Sequence, residues 1–316
     1  LRRRYEHAPH AAVTAWINFA DSIIDRQLAL GELSLMKMRR AYALSRAVAE
    51  RPLHALTSAW LAHLYWNRQD LTTTALYAKE ALLLASADDH ASQGRIGLVV
   101  GEALLISGRE AAGRIWYARA RYHASEMGDL PSLSALAFNL AAVRAMLLRQ
   151  FVLSDSAALA TGRAAELQAE ASRSFDHLIG TPIDSRTPIH EARILSCQGD
   201  ARAALDLYVA NARDANVVAA ARELPEWLSD EAWCLARIGE LGRAREVALS
   251  AEASLSSETQ VDDRAALHSR LALVFATLGE LEIADRHRTL ARHLWREYRV
   301  FQDECASLFE SLAVDG

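Results

Sequence analysis

The sequence predicts an all-α fold: a right-handed α-solenoid of about seven antiparallel helix hairpins with a C-terminal capping helix. Three observations predict it. A helix-closing glycine returns at a fixed interval, with Gly199, Gly239 and Gly279 each 40 residues apart and each ending a short apolar run, "EARILSCQG", "WCLARIG" and "LVFATLG". A period of this size, with two helices per period, marks stacked helical repeats. Small residues recur at fixed offsets from those glycines. The composition suits long helices, being 51% hydrophobic with only 6 prolines, and no run alternates in the manner of a strand.

The closing residue serves as a register mark. The marks fall at Gly31, Gln69, Gly108, Arg149, Gly199, Gly239 and Gly279, with spacings of 38, 39, 41, 50, 40 and 40. Seven residues before them stand Ile24, Ala62, Gly101, Ala142, Ala192, Ala232 and Ala272. Five residues after come Met36, Thr74, Gly113, Ser154, Ala204, Ala244 and Ala284. Twelve after come Ala43, Ala81, Ala120, Thr161, Asn211, Ala251 and Ala291. Small side chains let two helices reach the lower end of the ~8–10 Å interaxial range. Ile24 and Met36 depart from that rule in unit one, and unit four, marked by Arg149, fits least well.

Each element follows from this register. Unit one pairs a helix near 10–29 with one near 33–50, stopped by Arg51-Pro52. Unit two spans 53–67 and 70–86, and unit three 91–107 and 110–126, ended by Met127-Gly128-Asp129. Unit four runs from Pro131 to Gln150 and from about Ser154 to His177. The segment "IGTPIDSRTP" at 179–188 holds two prolines and a glycine, which break helices, and it accounts for the spacing of 50. It divides the chain into units one to four (1–178), a linker loop (179–188) and units five to seven with the cap (189–316). Unit five opens with a short helix from about Thr187 to Gln198. Phe301, Cys305, Leu308, Phe309 and Leu312 then form a helical stripe, suited to a helix covering the open apolar face of the last repeat.

The pattern resembles the tetratricopeptide repeat. Leu271, Ala272, Phe275, Gly279, Ala284 and Ala291 carry it best; Ala232, Leu235, Gly239, Ala244 and Ala251 carry it in unit six, and Val100, Gly101, Leu104, Gly108, Gly113, Tyr117 and Ala120 in unit three. The units are nearer 40 residues than the usual ~34, and the unit-ending proline is mostly missing. Longer units of this sort resemble those of bacterial signal-sensing regulators.

Composition and motifs narrow the chemistry. A net charge of −5 and a pI near 6.1 argue against a nucleic-acid binder. Three cysteines, Cys197, Cys234 and Cys305, are odd in number and far apart, so a reducing, cytoplasmic compartment is expected. No signal peptide is visible, and no apolar run is read as approaching the ~20 residues of a membrane span. The chain begins at Leu1, which suggests a piece of a larger protein. Lys37 and Lys79 are the only lysines and lie in helical stretches, so a phosphate-cradling loop is excluded. There is no His-Glu-x-x-His and no Cys-x-x-Cys. Eleven histidines form no ligand set by spacing, His287 and His293 falling on different sides of a helix. Carboxylate pairs such as Glu102 with Glu110, or Asp21 with Asp25, read as solvated helix faces. No enzyme activity, cofactor or metal is expected.

The resemblance implies a groove lined by the first helix of each hairpin. Its ligand-facing positions precede the mark by thirteen, ten, six, three and two. Carried across, they give Asn18, Asp21, Asp25, His63, Trp66, Asn67, Glu102, Asn139, Arg193, Trp233 and Arg237, with Arg95, Arg186, Glu226 and Ser229 alongside. Asn67 and Asn139 suit a peptide backbone, because an amide both donates and accepts. Trp66 and Trp233 suit an apolar side chain. Trp16, Trp60, Trp116, Trp227 and Trp295 read as core or interface. The expected partner is a protein or peptide, or a small signalling molecule, bound by the sensory part of a bacterial regulator such as a transcription factor or diguanylate cyclase. A stand-alone scaffold is the alternative and an all-helical enzyme a remote one. A long Ala/Leu-rich second helix also leaves a homodimer among the expectations.

Overall fold

The computed structural model describes residues 10–28, 31–150, 152–153, 187–211, 224–256 and 259–314. Among them the regular structure is entirely helical: α1 (Ala11–Gln27), α2 (Gly31–Ala47), α3 (Arg51–Trp66), α4 (Leu71–Leu84), α5 (His90–Ile106), α6 (Glu110–Glu126), α7 (Leu130–Arg149), α8 (Thr187–Gln198), α9 (Ala201–Asn211), α10 (Leu224–Arg237), α11 (Leu241–Ala253), α12 (Val261–Thr277) and α13 (Leu281–Val314). The linker expected at 179–188, and with it the domain division, falls largely outside the described residues, as does the second helix of unit four.

The register marks do what their spacing requires. Gly108, Gly199, Gly239 and Gly279 take φ of +78°, +93°, +88° and +79°. Each closes its helix with the same double bond: the Gly108 amide donates to Leu105 O at 3.0 Å and the next amide, Arg109, to Leu104 O at 2.8 Å, as Gly239 and Glu240 do with Ala236 and Leu235. This arrangement satisfies carbonyls that the helix end leaves orphaned. Gln69 adopts the same left-handed conformation, φ +56°, without being glycine. Asp70, Asp89, Asp129 and Asp200 then accept backbone amides at 3.1–3.2 Å and start the next helix.

Gly31 is the exception. It is the first residue of α2 rather than a left-handed closing residue. The unit-one register therefore shifts by two residues. Ile24 and Met36, placed by sequence at the helix crossing, are exposed. Ser22 and Ser34 occupy it instead, both buried, with the Ser22 hydroxyl donating to Ser34 O at 2.7 Å. The crossings of units two, five, six and seven hold, with Ala62, Thr74, Ala192, Ala204, Ala232, Ala244, Ala272 and Ala284 all buried; in unit four Ala142 is half-buried and Ser154 lies outside the described residues.

By packing, the chain falls into two compact units, Leu1–Leu136 with Gln302–Gly316, and Ala137–Phe301. In the first, the hairpins α1–α2, α3–α4 and α5–α6 stack, and α3 packs beside α5. Met38, Leu61, Leu64 and Tyr65 fill the space between the first two hairpins. The end of α13 completes this unit. Cys305 Sγ donates to Ala103 O at 3.3 Å, Gln302 Nε2 to Ile106 O at 2.7 Å, and Phe309 meets Trp66 edge-on at 6.1 Å. The expected stripe is thus buried at Cys305, Phe309 and Leu312, but on α3 and α5 rather than over the last repeat. It is no separate helix either, because α13 runs unbroken for 34 residues without a Gly or Pro.

In the second unit, α8–α9 pack on α10–α11 through Ile189, Leu205, Tyr208, Trp227 and Leu235. Next, α10–α11 pack on α12 and the start of α13 through Ala232, Ala248, Leu267, Leu271, Phe275 and Ala284. One expectation fails here. Helix α7, with 20 residues, is long and apolar enough to cross a membrane by length and composition. Its Ala141, Ala145 and Leu148 pack against Ile194 of α8, and Arg149 enters an ion network.

Candidate ligand-binding face

The polar side chains of the first helices gather in two places, one in each unit. In the first unit they surround Trp60 of α3. The Arg95 guanidinium, from α5, lies 3.8 Å from the indole centroid, and that of Arg26, from α1, 5.8 Å. His63, one turn on from Trp60, meets the ring edge-on at 5.5 Å, and Phe19 of α1 does so at 6.4 Å. Arg26 donates to His63 Nε2 at 3.1 Å. That bond places the imidazole proton on Nδ1, which is buried and has no partner. Burial, then Arg95 and Arg26, hold the His63 pKa well below the usual imidazole value, so the ring is neutral. Burial and the charge of Arg26 lower Arg95 to about 10.

A second pair sits close by in the same unit. Trp66 is buried under Phe309 and its indole hydrogen-bonds Glu102. Burial pushes the Glu102 carboxyl up to about 7, against the lowering effect of that bond. Asp25 is buried and ion-paired with Lys37 of α2 at 2.6 Å. Asn18 turns back on its own helix, donating to Thr14 O at 2.8 Å. Asp21 is half-buried, and Asn67 is exposed at the end of α3.

In the second unit the first helices share a buried ion network. Arg149 from α7 pairs with Glu226 of α10 and with Asp262 and Asp263 of α12, the latter two at 3.3 and 3.2 Å. Arg193 from α8 also pairs with Glu226 and approaches Asp230 at 4.0 Å. Arg270 from α12 donates to Asp230 at 2.6 Å and to Cys197 Sγ at 3.2 Å. Tyr208 of α9 adds its hydroxyl to Asp230 at 3.2 Å. Burial, with Asp263 alongside, raises the Asp262 carboxyl against the pull of Arg149. Trp233, half-buried, stands at the rim between Arg237 at 5.5 Å and Arg270 at 5.9 Å. Asn139 is half-buried on α7, and Arg186 lies outside the described residues.

The structure therefore joins His63 to Arg95, Trp66 to Glu102, Arg193 to Glu226 and Trp233 to Arg237. It does not bring Asn67 into either cluster. Of the hub residues, Trp60 reads from sequence as core or interface and Asp230 and Arg270 carry no motif, yet each stands nine residues before its mark. Position nine follows thirteen by four and precedes six by three, so it lies on the same helix stripe. Among the described residues no group of three His, Cys, Asp or Glu has metal-ligand geometry.

No protein-family model matches the sequence, and no curated protein is significantly similar to it. Solved structures do match. A Rap protein complexed with competence and sporulation factor superposes with a TM-score of 0.63 at 13% identity, over 95% of this chain and 80% of that one. The apo form of RapI superposes with a TM-score of 0.57 at 11% identity, over 90% of this chain and 98% of that one. Both are helical-repeat proteins of tetratricopeptide type. This chain has the tetratricopeptide-repeat fold. Identity this low carries the fold and nothing finer. In the repeat fold, the two clusters lie mainly on the first helices of the hairpins.

Proposed function

We propose that this tetratricopeptide segment is a non-catalytic peptide- or protein-binding module, the sensory part of a larger cytoplasmic bacterial signalling protein. Its output belongs to another domain, of the transcription-regulator or diguanylate-cyclase class. The observation that carries the reading is the ion network of the second unit. Arg149, Arg193, Glu226, Asp230, Asp262 and Arg270 come from four successive first helices and are all buried. Buried ion pairs of this kind contribute little net stability but fix one arrangement. A ligand side chain that takes over one partner shifts the balance between hairpins, and each hairpin transmits the change to the next. The similarity to a Rap protein solved with competence and sporulation factor supports the reading of a ligand-binding signalling module. Trp233 and Arg237, at the rim of the network, supply a stacking face and an exposed cation for that ligand.

Affinity selection from a pool of short peptides tests the reading, with each selected sequence measured again on Trp233→Ala and Arg237→Ala. The expected result is a set of peptides whose affinity falls by about tenfold or more in both variants, as loss of a packed aromatic and of a charge-assisted contact requires. Peptides that bind both variants as tightly as wild type, and lose affinity only on substitution of second-helix residues such as Leu76 or Ile115, overturn it.

A further inference from the structure

The outward side of the second helices differs between the two compact units. In the first, Leu76 and Ile115 stand seven residues after their marks and Leu83 and Tyr122 fourteen after, with Met36 at the matching place once the two-residue shift of unit one is applied. All five are exposed by more than half, Leu83 by 71%. In the second unit the places seven after the marks hold Asp206, Glu246 and Arg286, also exposed. A charge serves the hairpin at this place, so the apolar choice in the first unit answers to something outside the hairpin. We infer that the outward face of α4 and α6, bordered by Met36 of α2, docks an amphipathic helix of a partner protein, one whose apolar stripe is flanked by Asp and Glu. This goes beyond the peptide reading and does not depend on it.

Helices α4 and α6 belong to neighbouring hairpins and both pack on α5. On each of them the two apolar residues are seven apart, which is two turns or about 10 Å along the axis. A guest helix presents its own apolar residues at that repeat, at i, i+3 or i+4, and i+7. Contiguous apolar patches of this kind are uncommon on monomers and mark interaction sites. Charge selects the guest. Arg40, Lys79 and Arg121 are exposed on the same three helices and have no ion-pair partner among the described residues. Lys79 lies between Leu76 and Leu83, and Arg121 beside Tyr122. Arg114, beside Ile115, reaches back to Glu110 at 3.8 Å. The other acids of these helices are engaged or peripheral. Glu80 accepts from Tyr42 and Ser58 at 3.1 and 3.2 Å, Glu32 pairs with Arg68, and Glu126 closes α6. An apolar face rimmed by cations, on a chain of net charge −5, attracts and orients an acidic helix. Two copies of this face would set one cationic rim against another.

Selection from a library of surface-varied, alanine-rich helical peptides tests the inference on the full chain. Selected helices are expected to carry an apolar stripe with Asp and Glu beside it, and to bind more tightly as salt is lowered. Their affinity is expected to fall about tenfold or more in Leu76→Ser and in Ile115→Ser, each checked for an unchanged melting profile, as loss of a central apolar contact requires. Lys79→Gln is expected to weaken them by a few-fold and to flatten the salt dependence. Selected helices that are basic or uncharged, or that bind both serine variants as tightly as wild type, would overturn the inference. So would a selection that yields no helix bound through this face. Sedimentation with phosphatidylserine vesicles and sedimentation equilibrium of the chain alone cover the other occupants. Vesicle binding, or self-association, that is lost in the serine variants assigns the face to a lipid surface or to a second copy instead. The acidic helices are expected to bind Trp233→Ala undiminished, and short peptides selected through Trp233 and Arg237 to bind Leu76→Ser undiminished, so the two readings fail separately.

Discussion

Gly101 and Gly113 face one another across the α5–α6 hairpin so closely that a Cβ on Gly113 would stand 3.0 Å from the Gly101 carbonyl oxygen. A Cβ on Gly101 would meet Tyr117 Cδ2 at 2.4 Å, well inside contact distance. Gly101→Ala is therefore expected to destabilise the chain by about 1–3 kcal/mol through overpacking. Gly94, in the same helix, is the control. Its Cβ would lie 3.6 Å from His123 Cβ, so Gly94→Ala should be neutral or stabilise by up to about 1 kcal/mol through helix propensity. Urea melts of the two variants check this. If both behave alike, the crossing is not set by the missing side chains.

Gln69 holds the left-handed conformation that glycine holds at four other marks. A side chain there costs about 1–2 kcal/mol, part of which glycine returns as greater unfolded-chain freedom. Gln69→Gly is expected to raise stability by about 0.5–1 kcal/mol. The Gln69 and Asp70 amides already close α3 on Trp66 O and Tyr65 O, so the geometry needs no change. A lower melting temperature in the variant would contradict this account of the turn.

The repeat was legible because its signals are backbone signals. Left-handed glycines and small crossing residues are demanded by geometry, whatever the ligand. Unit one misled for a specific reason: Gly31 imitated a closing glycine, and two buried serines bonded to each other did the work elsewhere given to alanine. The clusters were half legible. His63, Arg193 and Glu226 lay at family positions, but Arg149 stood out only as an ill-fitting register mark and nothing in the sequence marked Asp230 or Arg270, since a charged residue's burial depends on partners more than thirty residues away. The 20-residue apolar α7 shows the reverse error, a helix that packs on α8 and whose run of Leu and Ala nevertheless satisfies the arithmetic of a membrane span.

Between α12 and α13 the sequence hides an acid-sensitive pair. His268 Nδ1 and His287 Nδ1 are 2.9 Å apart, so one ring donates and the other accepts, and the two cannot both be protonated. Burial, together with each ring's cationic neighbours, pushes both down to about 4. The unfolded rings bind protons near pH 6.5, before the folded ones. Stability from this pair is therefore complete above about pH 6.5 and is lost as pH falls toward 4, at up to about 1.4 kcal/mol per pH unit for each ring. Glu252, 3.8 Å from His287 Nε2, moderates the loss. The double variant His268→Leu/His287→Leu should flatten the acid limb of stability between pH 7 and 5. An unchanged limb would show that other groups set it.

Glu102 works in the opposite direction. Its carboxyl, raised to about 7 by burial, stays protonated in the fold where the unfolded chain ionises near the ordinary value of 4.5. From pH 4.5 to 7 the unfolded state sheds a proton that the folded state keeps, so stability falls as pH rises through that window and stays low above it. Glu102→Gln removes the ionisation and keeps an acceptor for the Trp66 indole. The variant is expected to gain about 1–2 kcal/mol at pH 8, allowing for partial solvent access, and to match wild type at pH 4.5. Its benefit should therefore grow with pH where that of the histidine double variant shrinks. Urea titrations at the two pH values measure it directly. A gain of equal size at both would mean that the Glu102 carboxyl titrates alike in the folded and unfolded chain, and that burial does not hold it protonated.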